Sequence, residues 1–182
     1  MRSAVDKNSR EYLESKVKNA RFSLLLVLIF TVVNLVFLLT DGNTYFLFSA
    51  SVPYYLTAFG MGMDLELGGS VFTTTALVIS AVILAAYLLC WIFSKKRIGW
   101  YVVALVLFAI DTALLVLLAL EFAILKDSIM DLVFHGWVVL ELCQALRCHK
   151  KLKALPPEPA AEPVPAPWPP ASASDEPWNT PE

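Results

Sequence analysis

The chain is a series of long uncharged runs separated by short charged ones. Phe22 to Thr40 and Ser70 to Ser94 hold no charged residue, and Trp100 to Leu120 holds only Asp111. Each is of a length to cross roughly 30 Å of hydrocarbon, which takes roughly 20 apolar residues as a helix. A fourth run, from about Ser128 to His149, contains Asp131, His135, Glu141, Gln144 and Arg147. A central acid costs about 2.5–3.5 kcal/mol on insertion scales, so the other helices must shelter the polar face of this segment. The pattern predicts an all-α polytopic membrane protein with four transmembrane helices, at about 22–40, 70–94, 100–120 and 128–149. The first run is too long for a signal-peptide core of about 7–15 residues and reads as an uncleaved anchor. Lys95 to Gly99 form so short a turn that the helices on either side must be antiparallel neighbours, which gives two hairpins.

Charge orients the chain. Six of its fourteen Lys and Arg residues lie in 1–21, three at 95–97 and four from Arg147 to Lys153. Residues 41–69 have none, and the remaining turn has only Lys126. Basic residues collect on the cytoplasmic side, so the expected orientation is N-in and C-in. Three segments follow: a basic cytoplasmic N-terminal segment (1–21), a membrane domain (22–153) and a cytoplasmic tail (154–182). Within the first, Asn8 and Glu11 have the spacing of a capping box, so a helix is expected to start before the membrane. The tail holds ten of the eleven prolines and five acids without a basic residue. Such a segment cannot build a core and is expected to be disordered, with polyproline II character. Pro156 to Pro159 has P-x-x-P spacing and Trp168 and Trp178 are anchor residues for a protein partner, although a solvated spacer explains the same composition.

The first outside loop is unusual. Thr44 to Met63 are twenty uncharged residues, TYFLFSASVPYYLTAFGMGM. Both flanks lack Lys and Arg, so both read as outside, and Pro53, Gly60 and Gly62 interrupt a clean helix. An interfacial or re-entrant segment is the expectation, with Tyr45, Phe46, Phe48, Tyr54, Tyr55 and Phe59 as headgroup-level aromatics. It is either a lid packed on the helices or a lining element of a lipid or solute site, and routine interfacial aromatics favour the lid. If re-entrant, it must be sheltered by protein.

Composition adds exclusions. Hydrophobic residues make up 58% and charged ones 16%, against about 45–50% and about 25% in soluble domains. A net charge of −2 without a basic stripe argues against nucleic acid as a partner. Cys90, Cys143 and Cys148 fall at inner helix ends, a reducing side, and are expected to be free thiols. Cys143, Cys148 and His149 match no zinc spacing and lack a fourth ligand, so no metal and no cofactor is expected. H-E-x-x-H, G-x-S-x-G and a Gly-rich phosphate loop are missing, and no catalytic residue is assigned.

The candidate chemistry is a polar layer inside the membrane: Asn34, Asp111, Asp131, His135 and Glu141. Asp111 sits near the middle of its span, where an ionisable group faces the bundle interior and needs a proton or a partner. Asn34 and Ser80 lie near the middle of the first two spans. Asp127, Asp131 and His135 are four apart and share a helix face, whereas Glu141 is turned away. Asp131 and His135 are placed to pair with each other, and Asp111 to meet His135 or Asn34. One reading is a hydrogen-bonded clamp, such bonds being worth about 0.6–2 kcal/mol in membranes. The other is a proton or cation relay, but no inverted repeat or broken helix is visible in the sequence.

The stretches TYFLFSASVPYYL (44–56), SKKRIGW (94–100), ALVLFAIDTALL (104–115) and DLVFHGWVVLEL (131–142) resemble a group of small, uncharacterised four-helix bacterial membrane proteins. The resemblance spans about Arg21 to Lys153. It implies four spans in a bacterial cell membrane and carries over no site. The expected function is a non-enzymatic structural, accessory or interaction protein. Its partners are the lipid bilayer, a membrane or cytoplasmic protein reached through the tail, and a second copy of itself. The alternative is a small oligomeric transporter or channel with Asp111 as the proton- or cation-binding group.

Overall fold

A computed structural model describes residues 9–42, 44–122 and 125–156, with the side chains of 125–127 excepted. The Pro-rich tail beyond Pro156, Asn8 and the side chain of Asp127 lie outside the described residues. Among the described residues five helices follow in order: α1 (Arg10–Leu39), α2 (Ser51–Leu67), α3 (Val71–Phe93), α4 (Gly99–Glu121) and α5 (Leu125–Ala154). Four of them are long and apolar enough to cross a membrane: α1, α3, α4 and, over Ser128–Ala154, α5. The fifth, α2, is shorter and packs most extensively on α3, while α5 packs on α1 and α4.

The distribution of side chains is inverted relative to a water-soluble bundle. Val78, Val82, Leu117, Val133, Trp137 and Leu140 each expose about three-fifths of their surface. Thr31, Asn34 and His135 are wholly buried, and Asp111 and Asp131 almost so. Water would reverse this arrangement, since large contiguous apolar surface is stable only against a partner or lipid. The apolar interior is a seam of Leu24, Val27, Tyr87, Ala104, Phe108, Val138 and Leu142, with Tyr101 at one end.

Helix ends explain the order of elements. The cap of α1 is Ser9, whose Oγ accepts the Tyr12 N–H at 3.3 Å. A hydroxyl at this position satisfies one of the first-turn donors. Between α2 and α3 the chain turns through Gly68 and Gly69, at φ 75° and 123°, a region where a Cβ is disfavoured. Ser70 offers α3 no side-chain cap. Asp64 of α2 does so instead, its Oδ1 accepting from Phe72 N at 3.0 Å and its Oδ2 from Thr73 N at 2.7 Å. Desolvation opposes ionisation of Asp64, but the hydrogen bonds from Thr73 and Phe72 prevail and hold its carboxyl below the usual carboxylate range. A carboxyl lowered by folding stabilises the fold above its unfolded value and ceases to do so as pH falls through the folded one. Acidification should therefore lower the protection factors of the Phe72 and Thr73 amides, and Asp64→Asn should show low protection with no such pH step. Equal pH dependence in both proteins would contradict the cap.

At Gly60 α2 and α3 approach closely: a Cβ there would lie 2.8 Å from the Phe72 carbonyl oxygen. Backbone cannot yield as a side chain does. Gly60→Ala should cost about 1–3 kcal/mol, as overpacking does. Gly62 has open space around it, so Gly62→Ala should be neutral or stabilising by up to about 1 kcal/mol, because Ala favours helix. Thermal unfolding of the two variants in detergent separates the cases, and equal midpoints would refute the close approach.

Candidate functional site: a capped half-length helix inside the bundle

The site is built around the start of α2. A helix begins with four N–H groups that have no partner within it. Here each is accounted for. The Ala50 N–H donates to Thr31 Oγ1 at 2.8 Å. The Ser51 N–H donates to Asp111 Oδ2 and the Val52 N–H to Asp111 Oδ1, both at 2.9 Å. The fourth position is Pro53, which has no N–H to satisfy. Pro53, expected to interrupt a helix, instead occupies the first turn of one, where its ring costs nothing. The donors lie within the bundle, so the acceptors come from other helices: Thr31 from α1, and Asp111 from the middle of α4.

His135 of α5 completes the arrangement. Its Nε2 is 2.9 Å from Asp111 Oδ2 and its Nδ1 is 2.8 Å from the Asp131 carbonyl oxygen. A carbonyl only accepts, so Nδ1 carries a proton. Nε2 and Asp111 then share one further proton between them, either as imidazolium and carboxylate or as two neutral groups. Both states are neutral overall, which suits an apolar surrounding better than a lone charge. Phe108 stacks on the imidazole, with ring centroids 4.8 Å apart. Ser51 Oγ is 3.4 Å from the same Nε2. In a Ser-His-Asp relay the hydroxyl and the carboxylate address opposite ring nitrogens. Here both address one, so the histidine is not aligned to activate Ser51.

The segment before α2 is held by side chains of α1. Asn34 Oδ1 accepts the Phe46 N–H at 2.7 Å, and its Nδ2 donates to the Phe46 carbonyl and to Ser49 Oγ, both at 2.8 Å. One amide thus replaces the neighbouring strand or helix that would satisfy this irregular backbone. Phe46 stacks on Phe30 and Phe37 of α1, and Phe48 meets Phe134 of α5 edge-on. Phe48 adopts φ 74°, a left-handed conformation costing a bulky residue of order 1–3 kcal/mol. The tie-downs at Phe46 and Ala50 on either side offset that cost. Tyr45 donates its hydroxyl to Asp131 Oδ2 at 2.9 Å and stands 4.9 Å from the Tyr54 ring, which in turn meets Tyr55. Further along α2, Thr57 and Ser80 both donate to the Pro53 carbonyl, at 2.8 and 3.2 Å, clasping α2 to α3.

Of the polar residues marked in the sequence, Asp111 and His135 therefore meet directly. Asn34 serves the Phe46–Ser49 backbone rather than Asp111. Asp131 reaches His135 through its carbonyl and not its carboxylate. Its Oδ1 is buried without a hydrogen-bond partner among the described residues. Glu141 stands apart, taking a hydrogen bond from Ser23 of α1. Thr31, Ser49 and Ser51 carry no mark in the sequence: Thr31 serves the Ala50 N–H, Ser49 Oγ meets Asn34 and Tyr45, and Ser51 Oγ approaches the His135 ring. The signal available was the run Ser-Ala-Ser-Val-Pro at 49–53, which has the form of a helix start with proline in its first turn.

All three cysteines are unpaired. Among the described residues no group of three or more His, Cys, Asp or Glu is placed to hold a metal ion. No protein family, curated protein or solved structure matches the chain.

Proposed function

We propose that this is a non-enzymatic multi-pass protein of the cell membrane that acts as a structural or accessory subunit. Its α1, α3, α4 and α5 cross the bilayer as two antiparallel hairpins with both ends in the cytoplasm, and α2 is a re-entrant half-helix entered from the outside. The observation that carries the reading is the saturation of Asp111. Two backbone N–H groups and one imidazole already occupy its carboxylate, so it is committed to holding α2 rather than open to a passing ion. Non-helical backbone at membrane depth is tolerated only where protein buries it, and Thr31, Asn34 and Asp111 supply that burial. The basic residues at the start of α1, in the α3–α4 turn and at the end of α5 support the orientation.

Two measurements test this. Reporter fusions after Lys153 and within the α3–α4 turn should be active only as cytoplasmic reporters, and one inserted at Gly68 only as an external reporter. Purified protein in liposomes should pass no protons or cations at any pH. A second reading, a proton-conducting oligomer, is favoured by one observation: the buried, unpartnered Oδ1 of Asp131, close to His135. Proton flux that disappears in both Asp111→Asn and Asp131→Asn would establish it and remove the first.

A further inference from the structure

At the end of the bundle where α1 begins, α4 begins and α5 ends, a cleft of about 800 Å³ opens. Its walls carry Arg10, Lys96, Arg97 and Lys153, together with His149 and Trp100. Among the described residues no acidic one lines it. His149 Nδ1 is buried without a hydrogen-bond partner among the described residues. The first turn of α4 also faces this cleft through Gly99 and Trp100, and that helix start has no side-chain cap. A Cβ on Gly99 would meet nothing within 4 Å. Convergent cations are what a phosphate group needs; the helix start adds less, since its Trp100 and Tyr101 N–H groups already bond the Arg97 and Ile98 carbonyls.

The cleft also has an apolar side. Ile98, Val103 and Leu152 line it. From Val103 an exposed ridge continues along α4 through Val106 and Ile110, each about half exposed. A free phosphate has no use for that ridge, whereas an acyl chain does. We propose that this cleft binds the phosphate headgroup of an anionic lipid of the cytoplasmic leaflet, with the lipid's chains lying along the Val103–Ile110 face of α4. The proposal rests on the membrane reading and on this end facing the cytoplasm; it is independent of the role given to Asp111. The competing occupant is the chain's own acidic tail, since Arg10 already donates to the Pro156 carbonyl at 2.7 Å at the point where that tail begins.

The test is full-length protein in nanodiscs of phosphatidylcholine with increasing phosphatidylglycerol, followed by native mass spectrometry after gentle detergent transfer, and by the unfolding midpoint. Phosphatidylglycerol should be retained at unit stoichiometry and raise the midpoint, while phosphatidylcholine and inorganic phosphate should do neither. Each surface cation contributes about 1 kcal/mol to attraction for anionic lipid, so K96Q/R97Q should weaken retention about 30-fold. The charge-matched K18Q/K95Q, outside the cleft, should retain the lipid. Equal loss in both double variants would mean diffuse attraction and overturn the site. An equal effect of inorganic phosphate would overturn the lipid as its source. Retention only after removal of residues 157–182 would assign the cleft to the tail and overturn the proposal.

Discussion

Asp111→Ala should be among the most damaging single substitutions in the protein. It strands the N–H groups of Ser51 and Val52 inside the bundle and removes the partner of His135. Breaking a buried charged pair from one side costs about 3–5 kcal/mol, a large part of the 5–15 kcal/mol by which domains are stable. The unfolding midpoint in detergent should fall on the order of 10 °C, with poor recovery from membranes. Asp111→Asn should be milder yet not silent. Whichever way the amide turns, its NH2 faces one of the two backbone donors and its oxygen serves the other. One N–H is lost, for about 1–3 kcal/mol. The ordering wild type, Asn, Ala is therefore the expected result, and an alanine variant that unfolds like wild type would remove Asp111 as the cap of α2.

A double variant sharpens this. If Asp111 and His135 act as one neutral unit, Asp111→Ala and His135→Ala should not add, because the second change removes a group that the first left stranded. A relay makes a different demand. There the stabilities are incidental, and loss of flux in Asp111→Asn would be complete while the fold was only modestly weakened.

Much of this was readable from the chain because hydrocarbon is a strict solvent. Three of the four long helices follow from runs with at most one charge, and two lie close to their expected bounds: 70–94 is Val71–Phe93, and 100–120 is Gly99–Glu121, while 128–149 lies within Leu125–Ala154. The first began earlier than its apolar run, at Arg10, since a helix capped by Ser9 in a polar segment continues without a break into the apolar one. Asp111, His135 and Asn34 stood out because polar groups are rare in such runs. The meeting of Asp111 with His135 was readable as one of two alternatives. What could not be read was the backbone that Asp111 and Asn34 serve, the N–H groups of Ser51 and Val52 and the peptide of Phe46, because backbone donors leave no mark in a sequence. The twenty uncharged residues 44–63 illustrate the same gap. Length alone suggested a span and the prolyl and glycyl interruptions suggested none. The helix instead occupies Ser51–Leu67, beginning where Pro53 fits a first turn and an outside carboxylate can cap it.

Asn34→Leu carries the second large expected effect. Leucine has the branching of asparagine but is larger and has no polar atom, so the Phe46 N–H loses its partner, its C=O keeps only the longer Ser49 contact, and the buried site is overpacked. Ser49 Oγ loses a donor but keeps contacts with the Tyr45 hydroxyl and the Phe46 carbonyl. One stranded backbone N–H and the overpacking, at about 1–3 kcal/mol each, give a loss of roughly 2–6 kcal/mol. Thr31→Val, which is near-isosteric, strands only the Ala50 N–H and should cost less. Amide hydrogen exchange reads the difference locally. In wild type the Phe46 and Ala50 amides should be slow. In Asn34→Leu exchange should quicken across 44–50, because the strained φ at Phe48 is released once its neighbours are free. In Thr31→Val the change should centre on Ala50. Since Asn34 and Asp111 hold the two sides of one short segment, Asn34→Leu combined with Asp111→Ala should cost less than the sum of the two alone. Strict additivity, or unchanged exchange at Phe46 in Asn34→Leu, would mean that the segment is held by its aromatic contacts with Phe30, Phe37 and Phe134 and not by the side-chain amide of α1.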